Sequence, residues 1–185
     1  MKRIFLAWAF SFLSSYALSQ SSSPLPLVVV DSVDLERYIG TWYEIARLPN
    51  RFQNSCVGDV AATYSLTEDG EIKVVNRCRR EDGTFSEAEG RARRAHEDGP
   101  STKLEVRFAP AILSFLPFVW GDYWIIDLAP DYSYAVIGEP NREYFWVLGR
   151  SPGMDEDTLK DILGRATAQG YNLDHLIRTH HTPKH

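Results

Sequence analysis

From Thr41 to Arg150 the chain is a succession of short stretches in which apolar and polar residues alternate, or β-branched and aromatic residues gather, each bounded by turn-forming residues. A period of two marks strands with one face buried. The stretch KLEVRF is the plainest case: Lys103, Glu105 and Arg107 take the face expected to meet solvent, and Leu104, Val106 and Phe108 take the inner one. Turn chemistry separates the stretches at Asp69-Gly70, Asp82-Gly83, Asp98-Gly99-Pro100, Pro130-Asp131 and Glu139-Pro140-Asn141. Gly, Asn and Asp tolerate the dihedrals of tight turns, and Pro presets one of them. The pattern predicts eight strands, over 41–48, 58–68, 71–79, 84–95, 102–108, 122–128, 132–138 and 143–150. After Ser151-Pro152-Gly153 the period changes. Leu159, Ile162, Leu163 and Ala166 follow helical spacing behind an acidic first turn, which predicts one amphipathic helix over about 155–169, stopped by Gly170. YNLDHLI reads as a short returning strand, and residues 179–185 as a flexible tail.

These elements predict an all-β fold: an eight-stranded antiparallel up-and-down β-barrel with the helix packed outside, because closure leaves no bare sheet edge. Composition alone does not separate it from a flat sandwich. A barrel of this size has room for one small ligand. The helix must bury its stripe against the sheet, so outward positions beneath it are expected to be apolar. Successive strands alternate in direction, which brings Trp42, Asp131, Tyr132 and Arg150 to one end. The connections 49–57, 80–83 and 109–121 and the last hairpin collect at the other end, the predicted mouth. Alternation phased from Trp42 and Arg150 turns Glu44 and Ala46 inward on the first strand, and Tyr144, Trp146 and Leu148 on the eighth.

The N-terminus changes the picture of where this barrel works. Lys2 and Arg3, the apolar run IFLAWAFSFL and Ala17-Leu18-Ser19 predict a signal peptide over 1–19, and Ser- and Pro-rich residues 20–32 a linker without fold content. About 160 residues remain, one domain over 33–178. No cysteine lies near the cleavage point, so the expected product is exported, periplasmic or secreted, without an N-terminal lipid anchor, its association with the outer membrane left open. The formal charge of −5 becomes −7 once Lys2 and Arg3 are removed, which makes nucleic acid a poor partner. The two cysteines, Cys56 and Cys78, are expected to form a structural disulfide in an oxidising compartment.

The connection APAILSFLPFVWG carries more apolar surface than a soluble monomer leaves in water. It is expected to gate ligand entry and to touch a membrane or a second copy of the chain, against the plainer reading of a loop with its own small core. Trp120, at its end, joins the predicted ligand contacts. Arg77, Arg79 and Arg80 near the mouth suit a phosphate or carboxylate headgroup, but a solvated face balanced by Glu81 and Asp82 is the stronger reading. No histidine falls on a predicted inner face to serve as a base for a nucleophile, so no catalytic residue, metal site or cofactor is assigned and the chain is not read as an enzyme. The alternatives are a barrel enzyme acting on a lipophilic substrate, or a protein-interaction module docking through 109–121.

GTWYE at the first strand, PDYSYAV entering the seventh and FWVLGRSP ending the eighth together resemble the three signature segments of the lipocalin family. The spacing of YSL, DG and VVN around Tyr64, Gly70 and Asn76 is similar to its bacterial and apolipoprotein D branch, and the resemblance runs from about Val33 to Ile177. It implies that Arg150 closes the barrel floor over Trp42, with Gly40, Asp131 and Tyr132 in the same structural set. It also implies a cavity lined at Tyr64, Asn76 and Trp146. With Glu44, Val106, Phe108, Trp120 and Tyr144 these make the expected ligand-binding set. The ligand class implied is a fatty acid or lysophospholipid, carried or stored in the cell envelope, and a homodimer is left open.

Overall fold

The computed structural model describes residues 25–68, 71–96, 98–108 and 119–183. The leader expected over 1–19, the Asp69-Gly70 turn and most of the 109–121 connection lie outside them.

The eight strands form within two residues of the expected spans: β1 (Gly40–Arg47), β2 (Gly58–Leu66), β3 (Ile72–Arg79), β4 (Phe85–Arg94), β5 (Lys103–Arg107), β6 (Gly121–Leu128), β7 (Tyr134–Gly138) and β8 (Phe145–Gly149). Each pairs antiparallel with its neighbour in sequence, and β1 pairs with both β8 and β2, so the sheet closes into an up-and-down barrel. A short helix α1 (Leu35–Tyr38) precedes it, and helix α2 (Glu156–Ala168) and strand β9 (Ile177–Arg178) follow.

Alternation divides the apolar residues between two cores. Trp42, Tyr64, Val74, Ala92, Leu104, Ile125, Ile137 and Leu148 pack inside the barrel. Ile45, Ala46, Leu48, Ile126, Val136, Phe145 and Val147 point outward and meet Leu159, Ile162 and Ala166 of α2. The expected apolar outward positions are therefore present. Asp155 caps α2 by accepting from the Thr158 amide, and Gly170, at φ +91°, follows its end.

The floor is a knot of local and distant contacts. The Arg150 guanidinium lies 3.8 Å over the Trp42 ring and donates to the carbonyls of Arg37, Tyr38 and Thr41, so it also satisfies the orphan acceptors at the end of α1. The Trp42 indole donates to the Tyr38 carbonyl. Gly40, at φ +102°, brings the backbone so close that a Cβ would stand 3.2 Å from Arg150 Nη1. At the same end Tyr132 receives the Asp34 amide on its hydroxyl and Arg37 over its ring, and Asp131 caps the turn by accepting from the Ser133 amide.

Three features correct the sequence reading. Residues 25–32, taken as linker, are built into the fold: Leu27 is buried in the outer core and the Val30 amide donates to the Ile125 carbonyl. The tail is not loose along its length. β1 pairs with β2 only over Gly40–Tyr43, and in the gap beyond, β9 pairs with Ala46 and Arg47, Thr179 donates to the Ile45 carbonyl, and the Asp59 amide donates to the His180 carbonyl. Residues 177–182 thus fill the seam where β1 and β2 part. Third, a bulge between Glu44 and Ala46 breaks the register of β1 with β8, so Ala46 turns outward and Arg47 inward.

Candidate functional site

The lower interior is filled. The hydroxyl of Tyr123 lies 2.8 Å from that of Tyr38 and 2.9 Å from that of Tyr64, and all three rings are buried. Burial pushes the Tyr64 hydroxyl up to about 12 and those of Tyr38 and Tyr123 well above the ordinary tyrosine range. The three are therefore neutral partners for one another, and Tyr64 belongs to this packed floor.

Toward the mouth the inner wall is less filled. Asn76 is half-buried and faces inward between Ala62 on β2 and Ala88 on β4, two small side chains that leave its amide room. Val106 packs on the inner core, and Phe108, 44% exposed beyond the end of β5, lies against the inward face of Gly90, where a Cβ would meet its ring at 2.7 Å. Across the barrel Tyr144 and Trp146 stack nearly parallel at 5.9 Å, and Phe52, 64% exposed, adds a third ring 5.6 Å from Tyr144. An aromatic row thus climbs from the interior to the rim.

Phe52 sits on a 3-10 turn, Arg51–Gln53, capped by the Asn50 side chain. Next to it, Gln53 accepts from the Trp146 indole at 3.0 Å and donates to Glu44 Oε2 at 2.6 Å. The connection carrying these side chains is tied to β3 by the Cys56–Cys78 disulfide. Its 22-residue separation makes it worth about 3 kcal/mol in the chain-entropy model.

Glu44 faces inward and is buried with both carboxyl oxygens engaged, one by Gln53 and one by the Thr179 hydroxyl. Burial raises its pKa, opposed by these two hydrogen bonds and by Arg47 and His181. Arg47 has its Nε 3.3 Å from Glu44 Oε1. Arg47, Gln53, Thr179 and His181 were not singled out from the sequence. Nothing local announced Arg47, whose inward turn is set by the bulge, or the tail residues.

Trp120 is a correction. Its ring lies 3.9 Å beneath the Arg93 guanidinium and 5.1 Å from that of Arg107, which belong to the outward sets of β4 and β5, so it sits on the outer face beside Arg107, a residue expected in solvent and found buried. The three arginines near the mouth have protein partners: Arg77 lies over Phe85, Arg79 pairs with Asp59 at 2.6 Å, and Arg80 donates to Ser86. No helix among the described residues is long and apolar enough to cross a membrane.

A family profile described as a lipocalin-like domain matches residues 33–181. Temperature-induced lipocalin-1 of Arabidopsis thaliana is 41% identical over 82% of this chain and 81% of its own length. Outer membrane lipoprotein Blc of Escherichia coli K12 is 35% identical over 87% of this chain and 86% of its own, and apolipoprotein D of Rattus norvegicus 37% identical over 78% and 74%. Among solved structures, insecticyanin of the tobacco hornworm Manduca sexta superposes with a TM-score of 0.63 over 84% of this chain and 85% of its own, at 20% identity, a likeness of fold alone. Family profile, identity over most of the length and barrel geometry agree, and the chain belongs to the lipocalin family.

Proposed function

We propose that this protein binds one small amphiphilic molecule, a fatty acid or a lysophospholipid, in the mouth half of its barrel, and carries or stores it outside the cytoplasm. The observation that carries the reading is the division of the interior: a floor filled by Trp42 and three mutually bonded tyrosines, and above it a wall of Asn76, Val106, Phe108, Tyr144 and Trp146 that is only partly covered. Apolar wall with few polar groups suits an elongated apolar ligand. Exposed Phe52, Val57 and Phe108 at the mouth suit its entry, and contact with a membrane or a second copy through 109–121 belongs to the same proposal. The names of the relatives, an outer membrane lipoprotein and an apolipoprotein, support a lipid ligand and an exported protein. A binding protein is favoured over an enzyme because the inward-facing sulfur, that of Cys78, is held in the disulfide.

The purified protein, titrated with 11-dansylundecanoic acid, is expected to give a saturable one-to-one rise and blue shift in dansyl emission that oleate reverses. Emission unchanged at every concentration contradicts the proposal.

A further inference from the structure

Arg47 is a buried cation on the inner side of the barrel wall. The bulge in β1 turns it inward, opposite Trp146, and leaves it 8% exposed. Its Nε and Nη1 have no hydrogen-bond partner among the described residues. Glu44 neutralises Arg47 at short range but does not use up its donors. The carboxylate oxygens are directed to Gln53 and Thr179, and Nε, 3.3 Å from Oε1, lies off the hydrogen-bond direction. Gln53 is spent in turn, its amide oxygen accepting from Trp146 and Asn50 and its nitrogen donating to Glu44. A guanidinium keeps its charge, and buried donors left unmade are costly. The arrangement therefore has room for an acceptor that the described residues do not supply.

We infer that Arg47 is the anchor for the anionic head of the bound amphiphile, a carboxylate or phosphate that takes its free donors at the mouth end of the β1–β8 wall while the apolar chain lies along Trp146 and Tyr144. The inference rests on the amphiphile-binding reading above and deepens it. The guanidinium keeps its charge and donates in fixed directions, so Nε and Nη1 can each take a head-group oxygen. Burial raises the pKa of the neighbouring Glu44 carboxyl, which eases the approach of a second negative charge to Arg47. Gln53, bonded to Glu44 and Trp146 and close in sequence to Cys56, places the disulfide-tied connection beside this head-group position.

The test compares charged and neutral ligands of one chain length. Oleate, 1-oleoyl-lysophosphatidylethanolamine and oleyl alcohol are each titrated by dansyl displacement into the wild type and Arg47→Met. The variant is expected to lose about tenfold or more in affinity for at least one of the two ligands that carry an anionic oxygen head, the oleate carboxylate or the phosphate of the zwitterionic lysophospholipid. Affinity for oleyl alcohol stays within about twofold, well under the loss of one charged hydrogen bond. Whichever of these two loses more names the head group, carboxylate or phosphate. Equal loss for all three ligands, or loss for none, overturns the inference. Wild type that binds no ligand at all overturns the carrier reading itself and the anchor with it. Should Arg47→Met fail to fold, arginine side-chain NMR on the wild type serves: an Arg47 Nε–H resonance that moves on adding oleate or the lysophospholipid but not oleyl alcohol supports the anchor, and one that moves alike with all three, or with none, refutes it.

Discussion

Glu44 shows how one buried residue sets a pH dependence. Its carboxyl is desolvated, and the hydrogen bonds from Gln53 and Thr179 with the charges of Arg47 and His181 only partly offset this, so its pKa in the fold lies above the value in the unfolded chain. The folded state then holds its proton more tightly than the unfolded state. The stability this group contributes is present in full below the unfolded pKa, near 4.5, and is lost as pH rises through the higher folded value. Glu44→Gln, which cannot ionise, is expected to gain stability relative to wild type between pH 4 and pH 8 in urea denaturation, and a constant difference across that range contradicts the account. The inward phase of Glu44 was legible from Trp42 two residues earlier. Arg47 was not, because a bulge leaves no mark in composition and resets the alternation for every position after it. Trp120 failed for another reason: alternation says nothing about a residue just outside a strand, and there the cations of β4 and β5 decide where an indole rests.

The last strand-like segment has an electrostatic fastening of its own. Asp59 stands at the β2 bulge with φ at 50°, and its carboxylate accepts from Arg79 Nε and from the amide and hydroxyl of Thr182. Burial opposes its ionisation, but the Thr182 and Arg79 contacts outweigh burial and hold its pKa at about 2. Because the folded value lies below the unfolded one, its contribution is present above about pH 3.8 and is lost as pH falls through about 2. Asp59→Asn is expected to lower stability by about 1–3 kcal/mol at pH 5. That gap should narrow as the wild type is taken to pH 2, and denaturation curves that stay parallel refute the fastening. Helix α2 was legible because its stripe, its acidic first turn and Gly170 are all local. The tail was not, since RTHHTP is polar throughout and its partners belong to a seam that exists only once β1 and β2 have parted. Residues 25–32 escaped for the same reason, their anchors lying on β6 and α2.

At the scale of the whole molecule, closed floor and less filled mouth follow from the same alternating pattern. Eight strands of alternating direction bring Trp42 and Arg150 together across more than a hundred residues, and the strand count with three motif segments made this closure legible. The division of the interior was not, because whether an inward tyrosine fills or lines depends on hydroxyl partners on other strands, as with Tyr38, Tyr64 and Tyr123. The disulfide holds the connection that carries Phe52 and Gln53 over the mouth, so stability and site share one covalent tie. Native mass spectrometry of the protein after delipidation and addition of equimolar oleate tests the central claim most directly. The account predicts a single bound oleate per chain, with no second adduct at modest excess; a spectrum of bare protein at all oleate concentrations contradicts it.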